Sequence, residues 1–210
     1  MESLPDSPTL LAIELSGATS TVALLHDGKV HQQDFTAKRG KALMPAIQDI
    51  LHGNARKEDL QCILVGTGPG SYTGLRIACA AGITLGYALE IPVIGHGSFE
   101  TFAFSYLSEK GISKELHLFL DAFRKETYHA SFQLQQGKLQ SVTAPEVLPK
   151  EEAIPSLPAS ALYLEDSAVF QPEAKHQLSY HLAHFLEKDL NDSARRFPAV
   201  PLYLRPPAYA

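Results

Sequence analysis

Apolar positions first gather in the run TLLAIEL from Thr9, break at the turn residues SGATS, resume in TVALL, and return in KVHQQDF after His26, Asp27 and Gly28. Alternation on both sides of an Asp-Gly pair is a hairpin pattern, because both turn residues tolerate positive φ. Three antiparallel strands are predicted, near 9–15, 20–26 and 29–36.

The period then changes. Leu43, Met44, Ile47, Ile50 and Leu51 fall on one helical face, which predicts a helix from Leu43 to His52 with Pro45 in its first turn, where the missing N–H is tolerated. QCILVG reads as a short buried strand, GLRIACAAGITLGYAL as a helix and IPVIGH as another buried strand. Strands alternating with helices call for parallel pairing through right-handed crossovers.

Beyond Gly97 the opening pattern recurs. HLFLDA at 117–122 is an apolar run ending in an acid, TYHASFQLQ alternates, Gln136-Gly137 turns, and KLQSV pairs back. Glu14 precedes the hairpin residue Gly28 by 14 positions, and Asp121 precedes Gly137 by 16. The shared order predicts an internal duplication, against the simpler alternative that any two hairpins look alike. Pro145, Pro149, Pro155 and Pro158 predict an irregular connection over 144–158, with at most one short helix near 149–154. ALYLED at 161–166 is a further strand. Leu178, Leu182, Phe185 and Leu186 form the stripe of an amphipathic helix over 177–190, and PLYLRPP is a short strand-like tail.

Composition narrows the classes. With 45% hydrophobic residues in 210, the chain can bury a core without staples. The net charge of −5, from 18 basic and 23 acidic residues dispersed along the chain, announces no phosphate-backbone reader. Cys62 and Cys79 lie in apolar segments, as two buried reduced thiols would. With no signal-like start and no long uninterrupted apolar span, a soluble cytoplasmic protein is expected, with no membrane partner.

The stretch GTGPGSYTGLRIACAAGITLG, from Gly66 to Gly86, is the first candidate for chemistry. A Walker loop needs GxxxxGK[ST]; here Gly-Leu-Arg follows Thr73, and no lysine lies between 58 and 109. The dinucleotide spacing GxGxxG fails as well, at Ser71 and Thr73. Two readings stay open for the loop: anion binding through backbone N–H groups, or a tight turn with Ser71 or Thr73 capping the helix. Gly74, Ala78, Gly82 and Gly86 recur every four residues and lay a ridge of minimal side chains along the helix. Such a ridge permits close approach of the domain's own sheet, of the 43–52 helix, or of another protein. No GxSxG is present, and Ser98 reads as the cap of a following helix. His181, His184 and Glu187 share a helix, but their spacing turns the glutamate away from the first histidine.

The segments IELSGATSTVALLHDGKV, PAIQDIL, VGTGPGSYTGLRIACAAGITLGYALEIPVIGHGSFETFA and LDAFRKETYHASF, with a late PLYLR, together resemble the TsaB family, also called YeaZ, along nearly the whole chain. The resemblance implies an α/β, actin-like ASKHA fold with two RNase-H-like lobes. The first would span 9–97 with the partner-binding helices, a reduced second lobe 98–190, and a C-terminal segment 191–210. It also implies a non-catalytic subunit that supports TsaD, with the ATPase TsaE, in transferring threonylcarbamoyl to the adenosine beside the anticodon of tRNAs reading codons that begin with A.

On that resemblance Glu14 occupies the place of the phosphate-site aspartate of active ASKHA members, with Ser16 and Thr19 in a vestigial nucleotide loop. The histidine that many TsaB chains keep before the helix proline is replaced by Arg39. No cofactor or metal is then expected on this chain; ATP and metal belong to partner subunits, and tRNA is met only indirectly. Helices 43–52 and 74–89 would form the interface with TsaD, or with a second copy in a homodimer when TsaD is absent, through Met44, Pro45, Ile47, Gly74, Leu75, Ala78, Gly82 and Leu85. An ASKHA nucleotide enzyme acting on its own is the alternative.

Overall fold

The computed structural model describes residues 8–17, 19–35, 39–165 and 199–204. The predicted hairpins form: β1 (Leu10–Glu14) and β2 (Ser20–His26) pair antiparallel, and β2 pairs with β3 (Lys29–Phe35) around a turn in which Asp27 and Gly28 both have positive φ. After α1 (Arg39–Leu51), β4 (Cys62–Gly66) lies parallel to β1, and β5 (Val93–His96) follows α2 (Tyr72–Leu89) to lie parallel to β4. The resulting order, β3-β2-β1-β4-β5, is that of an RNase-H-like lobe.

Two apolar layers flank this sheet. Leu11, Ile13, Val22, Leu24, Ile63 and Val65 point to α1 and α2, while Leu10, Ala12, Ala23, Leu25, Cys62 and Leu64 fill the opposite face. Burial on both faces is why β1 and β4 read as continuous apolar runs rather than alternating ones.

A second sheet follows α3 (Ser98–Lys110): β6 (Leu116–Asp121), β7 (Glu126–Gln135), β8 (Lys138–Pro149), the short α4 (Lys150–Ala153) and β9 (Leu162–Glu165), in the order β8-β7-β6-β9. In each sheet the first strand pairs antiparallel with the next and parallel with the strand after the helix. The duplication is therefore real in topology. It is also unequal, since α1 has 13 residues and α4 has 4. Leu116, Leu118, Ala130 and Phe132 pack with Phe99, Phe102 and Leu107 of α3 in a separate core.

Two expectations are corrected. The helix predicted from Leu43 starts at Arg39, so Pro45 lies in its second turn. Proline there cannot donate to the carbonyl of Lys41, a loss this helix tolerates because both residues are exposed and water reaches the acceptor. Residues 144–149 belong to β8 rather than to an irregular connection. β8 is an edge strand with two register shifts between Ser141 and Glu146, and an irregular edge is where a sheet accepts a residue such as Pro145. The helix expected at 177–190, with its histidines, lies outside the described residues. Among the described residues no helix is long and apolar enough to cross a membrane.

Candidate functional site around the glycine-rich loop

Strand β4 ends at Gly66, directly over the side chain of Glu14. A Cβ on Gly66 would stand 2.0 Å from Glu14 Oε2, so the carboxyl fits only because residue 66 has no side chain. The loop then turns through Gly68 at φ 103°, and a Cβ on Gly70 would meet Ser16 at 2.5 Å. Gly70 serves close approach between this loop and the β1–β2 turn, while Gly68 leaves room for Leu75 of α2.

Three backbone donors of the loop are engaged within the chain. Thr67 N–H donates to His96 O at 2.8 Å, Gly68 N–H to Ser98 Oγ at 3.1 Å, and Ser71 N–H to Ser16 O at 2.8 Å. At the helix start Ser71 is the N-cap, its hydroxyl accepting from Gly74 N–H at 3.2 Å. Of the two readings left open by the sequence, the capped turn is the one the geometry has. Ser98, expected to cap α3, makes no cap bond: Gly97 is the N-cap, and the buried Ser98 side chain instead bridges back to the loop.

Glu14 and Ser16 are brought together. Ser16 donates its N–H to Glu14 Oε1 at 2.8 Å and its hydroxyl to the same oxygen. Among the described residues no hydrogen bond joins Thr19, half-buried at the entry to β2, to either of them. Burial pushes the Glu14 carboxyl above its ordinary pKa, opposed by bonds from Ser16 and by smaller influences of Ser98 and Leu15. A carboxyl buried under Gly66 and folded onto its own loop does not fit a ligand of a nucleotide-bound metal.

The sign of that shift gives a pH test. The folded chain holds a proton on Glu14 that the unfolded chain releases, so stability falls as pH rises from the ordinary carboxylate range through the folded pKa. Glu14→Gln is expected to lose this decline and to gain on the wild type as pH is raised, measured by urea unfolding across that range. Parallel pH profiles for the two proteins would show Glu14 to be ionised without cost.

Three further titratable groups of this lobe are held uncharged by burial. His96 is buried, with Thr101 Oγ1 at 2.8 Å from Nδ1, and burial pushes its pKa down to about 3. Cys62 and Cys79 are free buried thiols, pushed up to about 12 and about 11, Cys79 by burial first and then by the Glu14 charge. A thiol held that high is a poor nucleophile. Among the described residues no three His, Cys, Asp or Glu side chains converge as a metal site.

The C-terminal segment completes the loop. Ala199 enters the first core, Leu202 N–H donates to Thr67 O at 2.7 Å, and the Tyr203 ring lies 5.0 Å from that of Tyr72, over which Arg76 sits at 5.4 Å. Sequence reasoning missed Gly66, Ser98 and this strap. Glycine at the end of a buried strand is the one signal available for the first, since it marks close approach.

The expected docking face needs a correction. Gly74, Leu75, Ala78 and Gly82 are buried in the chain itself, not turned outward. A Cβ on Gly74 would stand 2.0 Å from Leu15 O and one on Gly82 2.5 Å from Val65 Cγ2, so the small-residue ridge exists to seat α2 on β1 and β4. Ile47 is buried and Leu85 half-buried against the same core. Met44, 42% exposed, and Pro45 remain outward on α1. On α2 the outward stripe is Arg76, Ala80, Ile83 and Tyr87, the last 76% exposed.

Known proteins resemble this chain along most of its length. Residues 26–199 match the family model described as TsaD: tRNA N6-adenosine threonylcarbamoyltransferase. The tRNA threonylcarbamoyladenosine biosynthesis protein TsaB of Bacillus subtilis is 34% identical over 64% of this chain, a stretch that spans only 59% of the Bacillus protein. Its Escherichia coli namesake is 28% identical over 93% of this chain and 94% of its own length. The solved structure of YeaZ from Pseudomonas aeruginosa superposes with a TM-score of 0.77 at 26% identity, covering 94% of this chain and 100% of that one.

Proposed function

Because the chain belongs to the TsaB (YeaZ) family and to the wider family described as TsaD, tRNA N6-adenosine threonylcarbamoyltransferase, we propose that it is a non-catalytic subunit in threonylcarbamoyladenosine formation on tRNA. It supports TsaD as the subunit that transfers threonylcarbamoyl, in concert with the ATPase TsaE. The observation that carries this reading is the state of the loop. Thr67, Gly68 and Ser71 spend their N–H groups on His96, Ser98 and Ser16, and Glu14 is folded onto Ser16. In that state the loop offers little to a phosphate.

The contribution of this chain is then a surface. Met44 and Pro45 of α1 and Ile83 and Tyr87 of α2 present apolar area to solvent, the composition from which interface centres are built. TsaD occupies that face, or a second copy does when TsaD is absent; ATP and metal sit on the partner subunits, and tRNA is met through the assembly, in the cytoplasm.

The test is co-purification of the full chain with its cognate TsaD and TsaE, with and without ATP, beside calorimetry of the isolated chain with magnesium and ATP. TsaD is expected to co-elute, and the isolated chain to give no magnesium-dependent heat of ATP binding. Saturable ATP binding by the chain alone, lost on Glu14→Ala, would establish the alternative of a self-sufficient nucleotide enzyme.

A further inference from the structure

The second sheet carries a line of four titratable side chains on the face turned away from α3. His117 Nδ1 and His129 Nε2 lie 3.1 Å apart; His129 Nδ1 is 3.0 Å from Glu146 Oε1, and His117 Nε2 is 3.4 Å from Glu115 Oε1. The imidazole planes agree within 7° and their centroids are 5.4 Å apart. That separation is about as long as a 3.1 Å contact allows, so both nitrogens lie close to the line joining the ring centres. Such a head-on, in-plane contact is an N–H···N hydrogen bond. It is the wrong shape for a shared metal, because half of the 3.1 Å gap is shorter than a metal–nitrogen bond of about 2.0–2.1 Å.

Counting protons shows what the line can hold. Its three contacts, Glu115 to His117, His117 to His129 and His129 to Glu146, each need one N–H. Two neutral rings supply two, a singly charged pair supplies three, and a doubly charged pair supplies four, two of them aimed at each other. We infer that His117 and His129, held in line between Glu115 and Glu146, form a binding site for one proton, which cross-links β6, β7 and β8.

The surroundings fix the rings and set the charge. Phe119 stacks on His129 with centroids 4.7 Å apart, and Ser131, opposite His117 in the register, has a buried hydroxyl with no partner among the described residues. The register adds Asp121 from β6 and Tyr163 and Glu165 from β9 to this face, while α4, packed on β7 and β8, carries Lys150, Glu151 and Glu152. Lys150 reaches Asp121 at 3.9 Å. The acids favour one cation on the pair. Burial, the largest influence on His117, lowers its pKa; Glu115 raises it and His129 lowers it further.

The unfolded chain can protonate both imidazoles, whereas the folded line has room for one proton between them. Stability therefore declines as pH falls through the ordinary imidazole range. The test is an imidazole nitrogen NMR titration of the full chain from about pH 8 towards acid, stopping before unfolding. His117 and His129 are expected to shift together with one midpoint, gaining one proton between them, and His129→Gln is expected to raise the His117 midpoint. Stoichiometric zinc should leave both rings unmoved. Two independent protonations in the ordinary range with the sheet intact, an unchanged His117 midpoint in the variant, or zinc shifting both rings would each overturn the inference. If His129→Gln does not fold, the wild-type proton count of one or two still decides.

Discussion

Gly82→Leu is expected to destabilise the fold by about 3 kcal/mol or more, a large share of the stability of a typical domain. The added Cβ alone would stand 2.5 Å from Val65 Cγ2 and within ordinary contact of Val93 Cγ1 at 3.6 Å and Ile63 Cγ2 at 3.7 Å. Three more carbons have nowhere to go except between α2 and the sheet. The gain from replacing a helical glycine, about 1 kcal/mol, does not offset a clash with two strands. Urea unfolding followed by far-UV circular dichroism measures the loss. A midpoint equal to the wild type, with binding to TsaD abolished, would restore the ridge to the surface and sink the packing assignment.

The double variant Met44→Glu with Tyr87→Glu should do the reverse. Tyr87 is 76% exposed and Met44 42% in the lone chain, and neither belongs to its cores, so the unfolding free energy should stay within about 1 kcal/mol of the wild type. Two buried carboxylates at an apolar interface lack partners, and affinity for TsaD is expected to fall at least 100-fold, about 3 kcal/mol. Size-exclusion co-elution and titration calorimetry read the effect. Undiminished binding by a folded double variant would move the docking face elsewhere. Together the variants separate what seats α2 on its own sheet from what it offers to others.

Much of the fold was legible because it rests on local regularities. Asp27-Gly28 set a hairpin, the apolar runs of β1 and β4 announced strands buried on both faces, and Ser71 stood where a cap is needed. The legible part stopped where two segments distant in sequence meet. Gly66 read only as a possible phosphate-loop glycine until Glu14 lay beneath it, and Ser98 read as a cap until Gly68 claimed its hydroxyl. Pro45 was placed in a first turn because propensity counts a local cost, while its exposed position in a longer helix makes that cost bearable.

By itself, then, the sequence determined most of the periods: the strands and helices of the first lobe, the outline of a second hairpin, and that a ridge of small residues runs down α2. The ridge's direction was decided only in three dimensions. A four-residue repeat of Gly and Ala states that something approaches closely, and it says the same whether the neighbour is a sheet or a partner. The choice fell to the chain's own first sheet: the Leu15 carbonyl just past β1 and the Val65 methyl of β4 already occupy the space a side chain would need.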